Sequence, residues 1–160
     1  MERKVADLLG GTRKPVTGRK GEDITHPLLY PDVKSRIQVP KTFFDNIEFY
    51  EKNHSTTVLS FLADKEGFPN WYLLWRLENT ERILNGKWNF RRSRDQSWPK
   101  LPLEWMDHIA STSPENKIPI VVLHRPRLEY GKCLVLAYHS PLYTYWMQKR
   151  LPLSMSGDSS

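Results

Sequence analysis

Gly18-Arg-Lys-Gly-Glu-Asp-Ile-Thr-His-Pro-Leu-Leu-Tyr-Pro-Asp-Val-Lys-Ser-Arg36 decides how this chain is read. Asp32 and Lys34 stand two residues apart. In a β-strand such residues share a face, so the carboxylate and the ammonium would lie side by side. Asp23 opens a short apolar step just upstream. The stretch predicts that Asp23 to Leu29 and Asp32 to Val39 pair as strands around Tyr30-Pro31, which would return Asp23 to the other two. Two hard oxygen ligands and an ammonium are what metal-assisted phosphodiester hydrolysis needs, so the stretch reads as a nuclease centre.

Working outward, Glu2 to Leu9 reads as a short amphipathic helix with Val5, Leu8 and Leu9 as its apolar stripe, stopped by Gly10-Gly11. Thr12 to Gly21 is basic and glycine-bearing, a strand edge running into an exposed loop. Thr42 to Lys52 carries Phe43, Phe44, Ile47 and Tyr50 near helical spacing. Thr56 to Phe61 and Trp71 to Leu77 resemble strands or a buried hairpin, and Glu78 to Leu84 a turn of helix before Asn85-Gly86. Leu103 to Ser111 is a compact helix. Ile118 to His124 is an almost unbroken apolar run, the mark of a central strand. Cys133 to Tyr138 gives a last strand, and Leu142 to Met147 a short terminal helix. The expected fold is α/β: a single domain over residues 1–150, with a central mixed β-sheet flanked by helices. The polar tail, 151–160, is expected to be flexible.

At 160 residues the chain is long enough to bury a core without a disulfide or a structural metal. A net charge of +6 favours a polyanionic partner, because lysine and arginine displace counterions from phosphates. A single cysteine, Cys133, excludes an intramolecular disulfide and any cysteine-rich zinc site. No apolar run is long enough to span a bilayer and the first residues have no signal-peptide core, so a cytoplasmic location is expected.

Asp-x-Lys alone is a weak pattern that many solvated strands carry. Its companions sharpen it. Glu2-Arg3 opens the first helix, Arg13-x-Pro-x-Thr-Gly18 follows, and then come Asp23-Ile24 and Asp32-Val-Lys-Ser-Arg36. In that order the chain resembles the archaeal-type and phage-encoded Holliday junction resolvases of the PD-(D/E)xK nuclease superfamily. The likeness covers residues 2–36 and, more weakly, Lys117-Ile-Pro-Ile-Val-Val-Leu-His124 and Cys133-Leu-Val-Leu-Ala137. Residues 50–100 match nothing in that family. Thr17 stands where the family usually has serine and Asp32 where glutamate is commoner, both keeping the functional group. The step from Asp23 to Asp32 is short.

The resemblance implies a restriction-endonuclease-like fold, a homodimer, and a four-way DNA junction as substrate. It implies Mg²⁺, with Mn²⁺ able to substitute, held by Asp23, Asp32, the Val33 carbonyl and Glu2. Lys34 would orient the attacking water. Thr17 would touch a phosphate, with Arg3, Arg13, Lys14, Arg19, Lys20 and Arg36 along the DNA groove. Plainer readings stand beside these. Glu2 is also an ordinary first-turn acid favoured by the helix dipole. His26, before Pro27, reads as structural, and His54, His108, His124 and His139 show no metal-ligand spacing. Arg91, Arg92 and Arg94, interleaved with Trp88, Phe90 and Trp98, read either as a second nucleic-acid contact or as a basic loop anchored by its aromatics. Nuclease action on other branched or duplex DNA, or a catalytically silent binding module, are the alternative functions.

Overall fold

A computed structural model describes residues 2–9, 12–13, 24–35, 39, 41–54, 56–65, 68–93 and 100–149. Helix α1 (Glu2–Leu9) leads into a two-stranded ribbon, β1 (Thr12–Arg13) with β2 (Ile24–Thr25), and then strand β3 (Leu29–Ser35). Helix α2 (Lys41–Glu51) precedes strands β4 (Thr57–Lys65) and β5 (Phe68–Arg76). A 3₁₀ turn and helix α3 (Thr80–Leu84) follow, then β6 (Asn89–Arg92), α4 (Lys100–Thr112), β7 (Ile118–His124), β8 (Leu134–Tyr138) and α5 (His139–Gln148). Six strands form one mixed sheet in the order β3-β7-β8-β5-β4-β6. The fold is α/β, a single domain with helices on both faces of the sheet, as the sequence led us to expect.

Each face carries its own core. Val5, Ala6 and Leu9 of α1, Ile83 of α3, and Leu142 and Trp146 of α5 pack on one side, against Ile120, Val122 and Val135. Phe43, Phe44 and Ile47 of α2, with Leu103, Met106 and Ile109 of α4, pack on the other, against Val121, Leu123 and Leu136. Every residue of β7 is buried because layers cover both faces, which is why its sequence runs apolar without alternation. In α1 the buried stripe uses Ala6, while Leu8 is 39% exposed. Helix α3 stops at Gly86, whose φ of 79° glycine adopts without steric cost. There Lys87 N–H donates to the Arg82 carbonyl and Gly86 N–H to that of Ile83, the paired bonds of a Schellman stop.

The described residues between 50 and 100, for which the sequence offered no counterpart, are integral to the sheet. They supply β4, β5 and β6, with β4 and β5 as an antiparallel hairpin and β6 parallel to β4. Arg76 at the end of β5 fastens that hairpin to α2. Its guanidinium donates to both Glu51 carboxylate oxygens at 2.8 and 3.2 Å, and to the Lys132 carbonyl at 2.8 Å. Among the described residues, no helix is long and apolar enough to cross a membrane.

The expected hairpin around Tyr30-Pro31 does not form. Ile24 and Thr25 pair with β1, whereas β3 pairs in parallel with β7, from Leu29 opposite Ile118 to Ser35 opposite His124. Tyr30 and Pro31 lie inside β3. Proline is tolerated there because, among the described residues, β3 is an edge of the sheet and needs ladder bonds on one side only. The turn falls at His26 instead. Its Nδ1 accepts from the N–H groups of Leu28 and Leu29, both at 3.0 Å, so its proton sits on Nε2, which donates to the Leu9 carbonyl at 2.9 Å. The imidazole therefore pins the entry to β3 onto the end of α1.

Burial holds the His26 pKa below its ordinary 6.5; the bond to Leu9 opposes this and the charge of Lys117 adds to it. A folded-state pKa below the unfolded one gives stability that is complete above about pH 6.5 and is lost as protonation sets in below it. Thermal melting should therefore fall between pH 7.5 and 5. The fall should be shallower in His26→Asn, whose amide oxygen keeps an Asx-type acceptor for the turn but cannot titrate. An unchanged pH slope in that variant would remove His26 from the account.

Candidate active site

Strand β3 presents the one part of the expected constellation whose side chains are described. Lys34 Nζ lies 3.3 Å from Asp32 Oδ2. Asp32 stands opposite Val121 and Lys34 opposite Leu123, so both share the face that α2 and α4 cover. The period-two reading of Asp-x-Lys is thus met. Asp32 is only 8% exposed, and a carboxylate that deep is retained when it is paired. Lys34 keeps 24% of its side chain open to solvent.

The pair sits towards the carboxyl end of a strand that runs parallel to its neighbour. Open α/β sheets gather ligands at such ends, where the loops diverge. A second, purely structural use of the same pair also exists. A charged side chain on an edge strand discourages pairing with another sheet, and Lys34 meets that need.

On the other face of β3, Ser35 and His124 meet side by side, 89 positions apart in the chain. Ser35 Oγ and His124 Nδ1 are 2.7 Å apart. His124 Nε2 lies 3.0 Å from the Leu128 carbonyl and the ring stacks on Tyr130, with centroids 5.0 Å apart and planes 10° from parallel. In the neutral ring Nε2 donates to that carbonyl and Nδ1 accepts from the serine hydroxyl. The partner that orients the ring is a backbone carbonyl, not a carboxylate, so the pair reads as a clamp between strand end and loop rather than a nucleophile and its base. The sequence could signal this only through fold register, since no local motif joins the two residues.

The other expected site residues divide into two groups. Asp23, Thr17, Lys14, Arg19, Lys20, Arg36 and Arg94 lie outside the described residues, as do the side chains of Glu2, Arg3 and Arg13. Helix α1 packs, through Val5, Ala6 and Leu9, on the face opposite Asp32 and Lys34. The β1–β2 ribbon follows α1 and leads into β3 at the edge of the sheet. Arg91 and Arg92 lie at the far edge, on β6, five strand spacings or roughly 24 Å from β3.

Trp88 is not available to stack on a base. It is 4% exposed and packs in the core against Trp146, with ring centroids 4.7 Å apart. Cys133 is buried as expected, and burial pushes its thiol up to about 12, against weaker opposing effects from a backbone hydrogen bond and Arg76. It is an inert core group.

For a metal, the described donors are of one chemical kind. Among the described residues no three His, Cys, Asp or Glu side chains converge. Of the residues the sequence assigned to a metal, β3 carries Asp32 and Val33, whose carboxylate and main-chain carbonyl are hard oxygen donors of the kind that suits Mg²⁺ or Mn²⁺ rather than zinc. Comparison of the chain with models of protein families, with curated proteins and with solved structures finds no match in any of the three.

Proposed function

We propose that this protein is a Mg²⁺-dependent, structure-selective DNA endonuclease that resolves four-way junctions by paired symmetric nicks. The observation that carries the reading is the Asp32–Lys34 pair on an edge strand beside a parallel neighbour. The order Glu2-Arg3, Arg13-x-Pro-x-Thr-Gly18, Asp23, Asp32-x-Lys34-x-Arg36 supports it, as does the net charge of +6.

Asp32, the Val33 carbonyl, Asp23 and Glu2 are the groups that would hold the ion. When bound, Mg²⁺ supplies Lewis acidity at the phosphate and a bound water of lowered pKa. Lys34 would orient the attacking water and offset the negative charge growing on the phosphate oxygens. Thr17 would bind a neighbouring phosphate, and Arg3, Arg13, Lys14, Arg19, Lys20 and Arg36 would track the backbone, which fixes position and not sequence. A homodimer belongs to this reading, because two sites related by a two-fold axis match the pseudo-symmetry of a four-way junction. So does a cytoplasmic site of action.

The test is an immobile four-way junction compared with a linear duplex of the same arms, in Mg²⁺ and in EDTA. Paired nicks in the junction alone, lost in EDTA, are expected. Equal cutting of the duplex would keep the nuclease and replace its substrate. Tight binding with no cut in Mg²⁺ or Mn²⁺ would sink the enzyme and leave a binding module.

A further inference from the structure

At the edge of the sheet far from Asp32, the face that carries α5 opens into a cleft of about 240 Å³ lined by Ser60, Trp71, Phe90, Arg92 and His139. Register explains the grouping. Arg92 of β6 is opposite Ser60 of β4, and Ser60 is opposite Leu73 of β5, two residues from Trp71 on the same face. Phe90 lies two residues before Arg92, so it shares that face. A smaller hollow of about 150 Å³ adjoins it and shares Trp71 and Arg92. Arg92 lines both, and its guanidinium lies 4.7 Å above the centre of the Trp71 ring.

We infer that this cleft binds an unstacked base of single-stranded DNA, with Trp71 as the stacking platform and Arg92 as the phosphate contact. The cleft is smaller than the roughly 300–1,000 Å³ of a drug-sized pocket, which suits one base and leaves its sugar and phosphate outside. Two aromatic rings give the base a π-face on which any of the four bases stacks, and the arginine beside them complements the backbone charge. An exposed cation–π contact is weaker than a base–aromatic stack, so an entering base displaces the guanidinium from Trp71 and frees it for the phosphate. Ser60, which is buried, and His139 complete the lining. Burial holds the His139 pKa below its ordinary value, which keeps the ring neutral and able to donate and accept.

The site is distinct from the proposed nuclease centre and does not rest on it, so the test is run in EDTA. Binding of a short fluorescent oligothymidylate is measured by anisotropy beside the same strand with its bases removed, for wild type, Trp71→Leu and Trp71→Phe. Wild type should hold the base-bearing strand about tenfold more tightly than the abasic one. Trp71→Leu should abolish that preference while leaving abasic binding unchanged, and Trp71→Phe should keep most of it. Equal wild-type affinity for the two strands overturns the inference without need of any variant. So does an equal loss on both strands in a Trp71→Leu protein whose melting matches wild type. Displacement of the base-bearing strand by polyglutamate as readily as by unlabelled oligothymidylate would also overturn it, because charge alone would then explain the binding.

Discussion

Asp32→Asn protein should nick a four-way junction about a thousandfold more slowly than wild type while binding it nearly as well. The magnitude follows from what the carboxylate would do. Removing a metal ligand forfeits several kcal/mol of transition-state charge stabilisation, and each 1.36 kcal/mol is about a factor of ten in rate. Asparagine keeps the shape of the side chain and an acceptor for Lys34, so strand β3 should remain in register with β7. The stability cost should be about 1 kcal/mol, that of a partly exposed ion pair, and a urea melt measures it separately from the rate. Lys34→Met should lose about a hundredfold in rate, the scale of one positioned acid–base group, with Lys34→Arg recovering part of it. If both residues act on one reaction centre, the double variant should be little worse than Asp32→Asn alone. Cleavage unchanged in Asp32→Asn would leave the pair its edge-strand role and end the nuclease proposal.

How much of this was legible depended on which physical rule each residue obeyed. Ile118 to His124 reads as a covered strand because no polar residue interrupts it before the histidine, and β7 is buried on both faces. Phe43, Phe44 and Ile47 mark the buried side of α2 by helical spacing alone. Asp32 beside Lys34 follows from period two and needs no fold at all. The hairpin failed because Tyr30-Pro31 carries turn chemistry that an edge strand also tolerates, while the real turn depends on a histidine ring accepting two backbone N–H groups. Trp88 misleads by position: it precedes a run of arginines, yet it and Phe90 alternate with Asn89 and Arg91, the pattern of a half-buried strand end. Trp71 and Arg92 could not be joined from sequence, since only the β4–β5–β6 register sets them face to face.

The largest stability effect should come from Trp146→Ala, at about 4 kcal/mol, the usual cost of emptying a large aromatic site. Domains are typically stable by about 5–15 kcal/mol, so this variant should melt at far lower urea. Trp146 is 1% exposed, donates from Nε1 to the Ile83 carbonyl at 2.9 Å, and stacks on Trp88; with Leu142 it is what holds α5 to the sheet and to α3. The two stacked tryptophans differ in one respect that the phenylalanine variants isolate. Trp146→Phe loses a made hydrogen bond. Trp88→Phe removes an N–H that is buried and has no acceptor among the described residues, a group that itself costs about 1–3 kcal/mol to hold away from water. Both lose similar apolar area, so Trp88→Phe should be the milder by about 1–2 kcal/mol. Neither ring reaches solvent, so wherever the fold is retained, DNA binding should be unchanged in both. Weakened DNA binding by a Trp88→Phe protein of wild-type stability would instead return Trp88 to the surface, beside Arg91 and Arg92, and undo the core packing that links α5 to α3.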